Sequence, residues 1–299
     1  MHTPLAMTRL TRLAAGAALL VGAAACSQSP DSPTSPTGGG GGTTSATYTA
    51  IGASDALGVG SAVVCAPFDL QCTNGTGWVQ VLFRRIQANG TASLTNLGVP
   101  GAVLSQTIED LGRRVGRTYP GNFVTNQAPF TSTSSTVVTV FAGGNDANTI
   151  GQVVQAQLAG DDPRAFIDQQ VRQWGDDFAA LLRAVRQRAP NTKIVLLNLP
   201  NLAGAPYLAR NSALERGVMQ RIAVGMSERV NALVAPNVFV VDLLCDARIL
   251  EPASFSSDGF HPSDRGYGLM ADLAYNAVTS GTYQAPAADC ALKRVAPIY

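Results

Sequence analysis

From residue 48 onward the chain repeats one pattern, in which a short apolar run is followed by a glycine-rich or polar step and then by apolar residues spaced three and four apart. The runs at 48–51, 93–97, 136–142, 193–199 and 238–243 have strand length. Several are almost continuously apolar, as strands covered on both faces are. The clearest helix opens at Asp162-Pro163, an N-cap residue followed by proline at the first helical position, and stops before Pro190. Ile167, Val171, Trp174, Phe178, Leu181 and Val185 form its apolar face, which places Trp174 in the core. Further helices are predicted at 77–89, 212–235 and 263–278. Strands alternating with helices imply right-handed parallel βαβ units, so all strands point their C-terminal ends at one rim, where ligands bind in open α/β sheets.

The N-terminal segment reads differently. Arg9 and Arg12 precede an apolar stretch at 13–25 that is too short for a permanent membrane span and ends in small residues, as a secretory signal does. The stretch Leu20-Val21-Gly22-Ala23-Ala24-Ala25-Cys26 resembles a bacterial lipoprotein signal, which implies lipidation of Cys26 and a membrane-anchored, exported protein. Ala23, where a larger aliphatic residue is usual, departs from that pattern, and Ala23-Ala24-Ala25 also suits ordinary signal peptidase and plain secretion. Residues 26–47, with Pro30, Pro33, Pro36 and five consecutive glycines, cannot bury a core and read as a flexible linker; the folded domain is expected at 48–299.

Charge and rare residues narrow the chemistry. The 299 residues hold 21 basic and 20 acidic side chains, and loss of Arg9 and Arg12 with the leader leaves 19 against 20, a formal −1. Nothing forms a basic face for nucleic acid. Of two histidines, His2 lies in the leader, so His261 is the one imidazole of the folded domain, and a multi-histidine metal site is excluded. Besides Cys26, the cysteines are Cys65, Cys72, Cys245 and Cys290, without a C-x-x-C pair. Export favours two disulfides among three connectivities, the parsimonious one being Cys65–Cys72 with Cys245–Cys290. The second would close a long loop, worth roughly 3–4 kcal/mol on the chain-entropy model.

Four polar segments follow the strands: Gly52-Ala53-Ser54-Asp55, Asn96-Leu97-Gly98-Val99-Pro100-Gly101, Gly143-Gly144-Asn145-Asp146 and Ser257-Asp258-Gly259-Phe260-His261. Together they bring a hydroxyl, a glycine amide, a carboxamide and a carboxylate–imidazole pair to one rim, the requirements for acyl transfer. In this order they resemble the four blocks of the SGNH, or GDSL, hydrolase superfamily. The resemblance covers about residues 48–278. It implies a three-layer α/β/α sandwich with a central, about five-stranded parallel sheet of flavodoxin-like order. It implies Ser54 as nucleophile, Gly98 and Asn145 beside the Ser54 amide as oxyanion donors, and Asp258 and His261 as the remaining catalytic pair. The chain departs from the eponymous motif at Ala53 and Asp55, where the family has aspartate and leucine; Asp55 is a candidate to take over part of the missing acid's role.

The chemistry stands apart from the family name. A serine hydroxyl becomes a competent nucleophile when a base takes its proton during attack, and an aspartate that orients the imidazole favours the imidazolium formed. Such a site needs no metal or organic cofactor. The expected activity is carboxylic ester hydrolysis, by an esterase or lipase acting on acyl lipids, with a carbohydrate acetylesterase acting on acylated glycans and a non-catalytic surface binding module as alternatives. Asp146, Asp242 and Asp246 are expected to be structural carboxylates. Leu202, Tyr207, Phe255 and Phe260 are candidates for an acyl groove, and the loop 200–207 and the insert 64–72 for the rim. Gly58-Val59-Gly60 lacks the third glycine of a dinucleotide loop.

Overall fold

The computed structural model describes residues 44–69, 72–279 and 283–299. The expected leader, Cys26 and the linker up to residue 43 lie outside the described residues. Five parallel strands, β1 (Thr44–Ile51), β2 (Gly90–Asn96), β3 (Val137–Phe141), β4 (Lys193–Leu197) and β5 (Val238–Val241), form one sheet in the order β2-β1-β3-β4-β5. Seven helices accompany them among the described residues: α1 (Trp78–Gln87), α2 (Gln106–Arg113), α3 (Phe123–Asn126), α4 (Gly144–Gln155), α5 (Pro163–Arg188), α6 (Ala213–Asn231) and α7 (Asp264–Thr279).

The alternation of strand side chains divides the core into two layers. Ile194 and Leu196 of β4, with Val138 and Val140 of β3, pack against α2, α4, α5 and α6. Val195 and Leu197, with Tyr48 and Ala50 of β1, pack against α1 and α7 on the other face. The expected three-layer sandwich is therefore present, and the near-continuous apolar runs reflect burial on both sides. Because β1 is flanked by β2 and β3, the chain reverses direction across the sheet there, and the crevice outside the strand ends at such a switch point is where open α/β sheets bind ligands.

Two boundaries differ from the sequence expectation. β1 begins at Thr44, so 44–47, expected in the linker, are strand and pair in register with Gly90 through Ser93 of an edge strand that itself starts early. These segments are Ser-, Thr- and Ala-rich and partly exposed, so no apolar pattern marks them. Helices α2, α3 and α4 were not predicted. The glycine pair before α4 reads as a turn, yet Gly143 adopts φ +121° with the space of its absent side chain taken by Leu199, and the helix starts at the next residue.

Both expected disulfides are formed, Cys65–Cys72 within the insert after β1 and Cys245–Cys290, which ties the end of β5 to the C-terminal segment across 45 residues. Among the described residues no helix is long and apolar enough to cross a membrane.

Candidate active site

The serine follows β1. Three residues past the strand, Ser54 opens a short 3₁₀ turn (Ser54–Leu57), and its own N–H has no acceptor among the described residues. The loop is held by the side-chain amide of Gln127, which accepts from Gly52 N–H at 3.0 Å and donates to Gly52 carbonyl at 2.9 Å, extending β1 as a further strand would. Gln127 is buried and sits in an irregular segment after α3, with no sequence signal to mark it.

His261 comes from the far end of the domain. After β5 the chain passes two 3₁₀ turns and a tight turn at Ser256 to Gly259, and Ser256 N–H bonds back to His261 carbonyl. Asp258 Oδ1 accepts from the backbone N–H of Phe260 at 2.8 Å and of His261 at 2.9 Å, and from Ser256 Oγ at 2.8 Å. Its other oxygen lies 2.6 Å from His261 Nδ1. Partial burial pushes the Asp258 carboxyl up, but the bonds from His261, the two amides and Ser256 outweigh it and draw the group down to about 2. An ionised carboxylate only accepts, so the imidazole proton sits on Nδ1 and the lone pair of Nε2 faces Ser54 Oγ at 2.8 Å. This chain can take the serine proton during attack and return it to a leaving group.

The third component follows β3. Asn145 lies in the first turn of α4, and one hydrogen of its side-chain amide is spent on Ala102 carbonyl at 2.9 Å, leaving the other to face the cavity that Asn145, Ser54 and Ala102 share. Asp146, as expected, is structural: Oδ1 accepts from Leu104 N–H at 2.9 Å and from Trp174 Nε1 at 3.1 Å, binding the loop after β2, α4 and α5 together. Burial raises its carboxyl to about 6, against the pull of those donors.

Gly98 requires a correction. Its N–H already donates to Asn96 Oδ1 at 3.0 Å and is not free for an oxyanion. A side chain there would stand 2.9 Å from Ala56 Cβ, so this glycine serves close packing against the nucleophile turn. Asn96 also donates to Ala56 carbonyl at 2.7 Å and so fastens the loop after β2 to that turn. Gly101, three residues on, has φ +81° and an N–H without an acceptor among the described residues, and it adjoins the Ala102 carbonyl that holds Asn145.

A cavity of about 70 Å³ opens beside Ser54 and His261. Its inner wall is apolar, built from Phe141, Leu199, Leu243, Ile249 and Met270. Of the four candidates for an acyl groove, Leu202, Phe255 and Phe260 line it; Tyr207 does not, and instead packs edge-on against Phe260 and donates to Asn148 Oδ1. No described residue of 64–72 lines the cavity itself. Asp242 and Asp246 are structural, the first holding Asn198, Cys245 N–H and Ala287 N–H, the second capping a 3₁₀ turn and pairing with Arg248.

Asp55 also borders the cavity. Its Oδ2 is sealed from solvent without a hydrogen-bond partner, and the indole Nε1 of Trp78, fully buried, is likewise unpartnered. Burial raises the Asp55 carboxyl to about 6, against the downward pull of its own backbone N–H and of His261.

A family model described as the GDSL-like lipase/acylhydrolase family matches residues 50–269. The chain belongs to this family. It is thereby a hydrolase of ester bonds. The fold agrees with solved structures of lipases. A lipase from a goat rumen metagenome is 20% identical over 80% of this chain and 99% of its own, with a TM-score of 0.54. The extracellular lipase of Streptomyces rimosus is 17% identical over 79% and 98%, and a putative GDSL-like lipase from Parabacteroides merdae 18% identical over 78% and 95%, each with a TM-score of 0.50. No curated protein sequence matches the chain.

Proposed function

We propose that the protein is a serine esterase that cleaves carboxylic esters of short acyl groups through an acyl-serine intermediate, with Ser54, His261 and Asp258 as its triad. The observation that carries this reading is the continuous hydrogen-bonded chain from Ser54 Oγ through both ring nitrogens of His261 to Asp258. Ser54 Oγ attacks the ester carbonyl while His261 Nε2 takes its proton, and the imidazolium is stabilised by Asp258. The oxyanion is received by Ser54 N–H, the free hydrogen of Asn145 Nδ2 and Gly101 N–H, with Gly101 in place of Gly98. Collapse expels the alcohol, which takes its proton from His261, and water then attacks the acyl-enzyme under the same base.

The cavity supports a short acyl group, because one water takes roughly 10–15 Å³ on the scale of that 70 Å³ volume, so that only a handful of heavy atoms fit. The leader pattern supports an exported protein held to a membrane through lipidated Cys26; accumulation of the precursor under globomycin tests this, and normal processing overturns it. For the activity, fluorophosphonate labelling of Ser54 with burst release of p-nitrophenol from p-nitrophenyl acetate is the expected result. A Ser54→Ala protein that keeps its turnover overturns it.

A further inference from the structure

The turn that carries His261 is bonded mostly to itself. Asp258 accepts from Ser256 Oγ and from the N–H groups of Phe260 and His261, and Ser256 N–H donates to His261 carbonyl, all within residues 256–261. Such bonds shape the turn without fixing where it stands relative to Ser54. Among the described residues, one hydrogen bond besides that of Ser54 reaches this turn from elsewhere in the chain: Tyr207 N–H donates to Gly259 carbonyl at 3.1 Å. The approach is close enough to need a glycine. Gly259 has φ +70°, and a side chain there would stand 2.7 Å from Tyr207 N and 3.1 Å from Pro206 Cβ.

The side chain of Tyr207 continues the link. Its ring meets that of Phe260 edge-on with centroids 5.1 Å apart, and Phe260 in turn meets the His261 ring edge-on at 5.0 Å. Its hydroxyl donates to Asn148 Oδ1 at 3.0 Å, and burial pushes the phenol up, so this proton stays in place. Asn148 lies on α4 three residues after Asn145, on the same side of the helix. Phe260 also reaches that helix directly, since a side chain on Gly144 would stand 3.2 Å from Phe260 Cζ. Tyr207 bonds to no triad side chain, yet it joins the turn bearing the base to the helix bearing the amide that faces the cavity.

We propose that Tyr207 is a positioning residue for ester cleavage, holding the His261 turn against α4 so that His261 Nε2 stays aligned between Ser54 Oγ and the departing alcohol. The role rests on the triad of Ser54, His261 and Asp258. In the cleavage step the ester C–O bond breaks as the tetrahedral intermediate collapses, and the leaving oxygen takes from Nε2 the proton that Ser54 gave up. A poor leaving group such as ethanol needs that proton, whereas p-nitrophenolate departs without it. A displaced imidazole therefore penalises an ethyl ester more than a p-nitrophenyl ester. The penalty falls on kcat/KM, which covers the steps through release of the alcohol.

The test compares kcat/KM of the full chain on ethyl acetate and on p-nitrophenyl acetate, each per active site titrated with a fluorophosphonate. Tyr207→Ala is expected to lose about 10²-fold on ethyl acetate, the scale of a misplacement of about 1 Å, and about tenfold on p-nitrophenyl acetate. Tyr207→Phe keeps the ring against Phe260 and loses only the bond to Asn148, so it should recover most of the loss and shift the ratio between the two esters by about threefold. Asn148→Ala removes the same bond; it should shift the ratio equally, and the double variant no further. A role confined to folding would lower both esters by one factor and leave the ratio alone. An unchanged ratio in Tyr207→Ala overturns the proposal, as do losses of Tyr207→Phe and Asn148→Ala that add. If Tyr207→Ala does not fold, an unchanged ratio in Tyr207→Phe overturns it instead. Turnover by Ser54→Ala would overturn the triad itself, whereas an inactive Ser54→Ala beside an unchanged ratio removes the positioning role alone.

Discussion

Ser54 and His261 stand 207 residues apart in the chain and 2.8 Å apart in space, Oγ to Nε2. Residues coupled this way act as a unit. Ser54→Ala and His261→Ala are each expected to lower kcat on p-nitrophenyl acetate by roughly 10⁴- to 10⁶-fold, and the double variant to be hardly slower than either single one. Additive losses, measured under the same conditions, would show that the two side chains do not share a step.

Asn145 yields a different signature, because one hydrogen of its amide is fixed on Ala102 carbonyl and only the other is available to a developing oxyanion. Asn145→Ala should cost about 10²- to 10³-fold in kcat with little change in KM, since the ground-state carbonyl is bound more weakly than the oxyanion. Asn145→Asp should be at least as slow, a carboxylate facing the oxyanion being repulsive. Steady-state kinetics on a soluble ester decide; a loss confined to KM contradicts the role.

Most of the strands and the positions of Ser54, Asn145, Asp258 and His261 were legible because apolar runs covered on both faces mark buried strands and because a polar residue just past a parallel strand can reach only one rim; the strand order came from the family resemblance. Gly98 was not. Two glycines in Leu97-Gly98-Val99-Pro100-Gly101 look equivalent, and what separates them is the Asn96 side chain folding back onto one amide, a fact of three-dimensional structure. Gln127 was invisible for the same reason, since its contact with Gly52 spans 75 residues. Asp55 was visible only as a departure from the family motif; its sealed environment depends on Trp78, which belongs to the next helix.

The apolar inner wall of the cavity predicts a preference for short acyl chains. Met270, almost fully buried on α7, and Ile249 form part of that wall. Ile249→Ala should extend the space and move the optimum of kcat/KM along a p-nitrophenyl ester series toward longer chains, by about two carbons. Met270→Ala should do the same with a larger stability loss, of about 2–5 kcal/mol, because it leaves a cavity deeper in the core. An unchanged chain-length profile in both variants would place the acyl group elsewhere.

Asp55 carries the clearest conflict between stability and function. Its folded-state carboxyl is raised to about 6 by burial, above the 3.8 of an unperturbed group, so the contribution it makes to folding is fully present below pH 3.8 and is lost as pH rises through 6. At pH 8 the buried charge therefore destabilises the fold, by an amount on the order of 1–3 kcal/mol. Asp55→Asn removes the charge and should melt several degrees higher than the parent at pH 8, with the difference disappearing near pH 4. Asp146, which shifts in the same direction, is present in both proteins and cancels from the comparison. The charge of Asp55 lies close enough to His261 to attract the imidazolium formed in the transition state, so the stabilised variant should lose roughly tenfold in kcat at pH 8, the exchange of activity for stability expected where a buried group is kept for function. Calorimetry at the two pH values together with kcat at pH 8 tests both halves. A variant equally stable at both pH values, relative to the parent, would mean that Asp55 finds more solvation than its sealed oxygen indicates; a stabilised variant with full activity would leave its position beside the nucleophile without catalytic consequence.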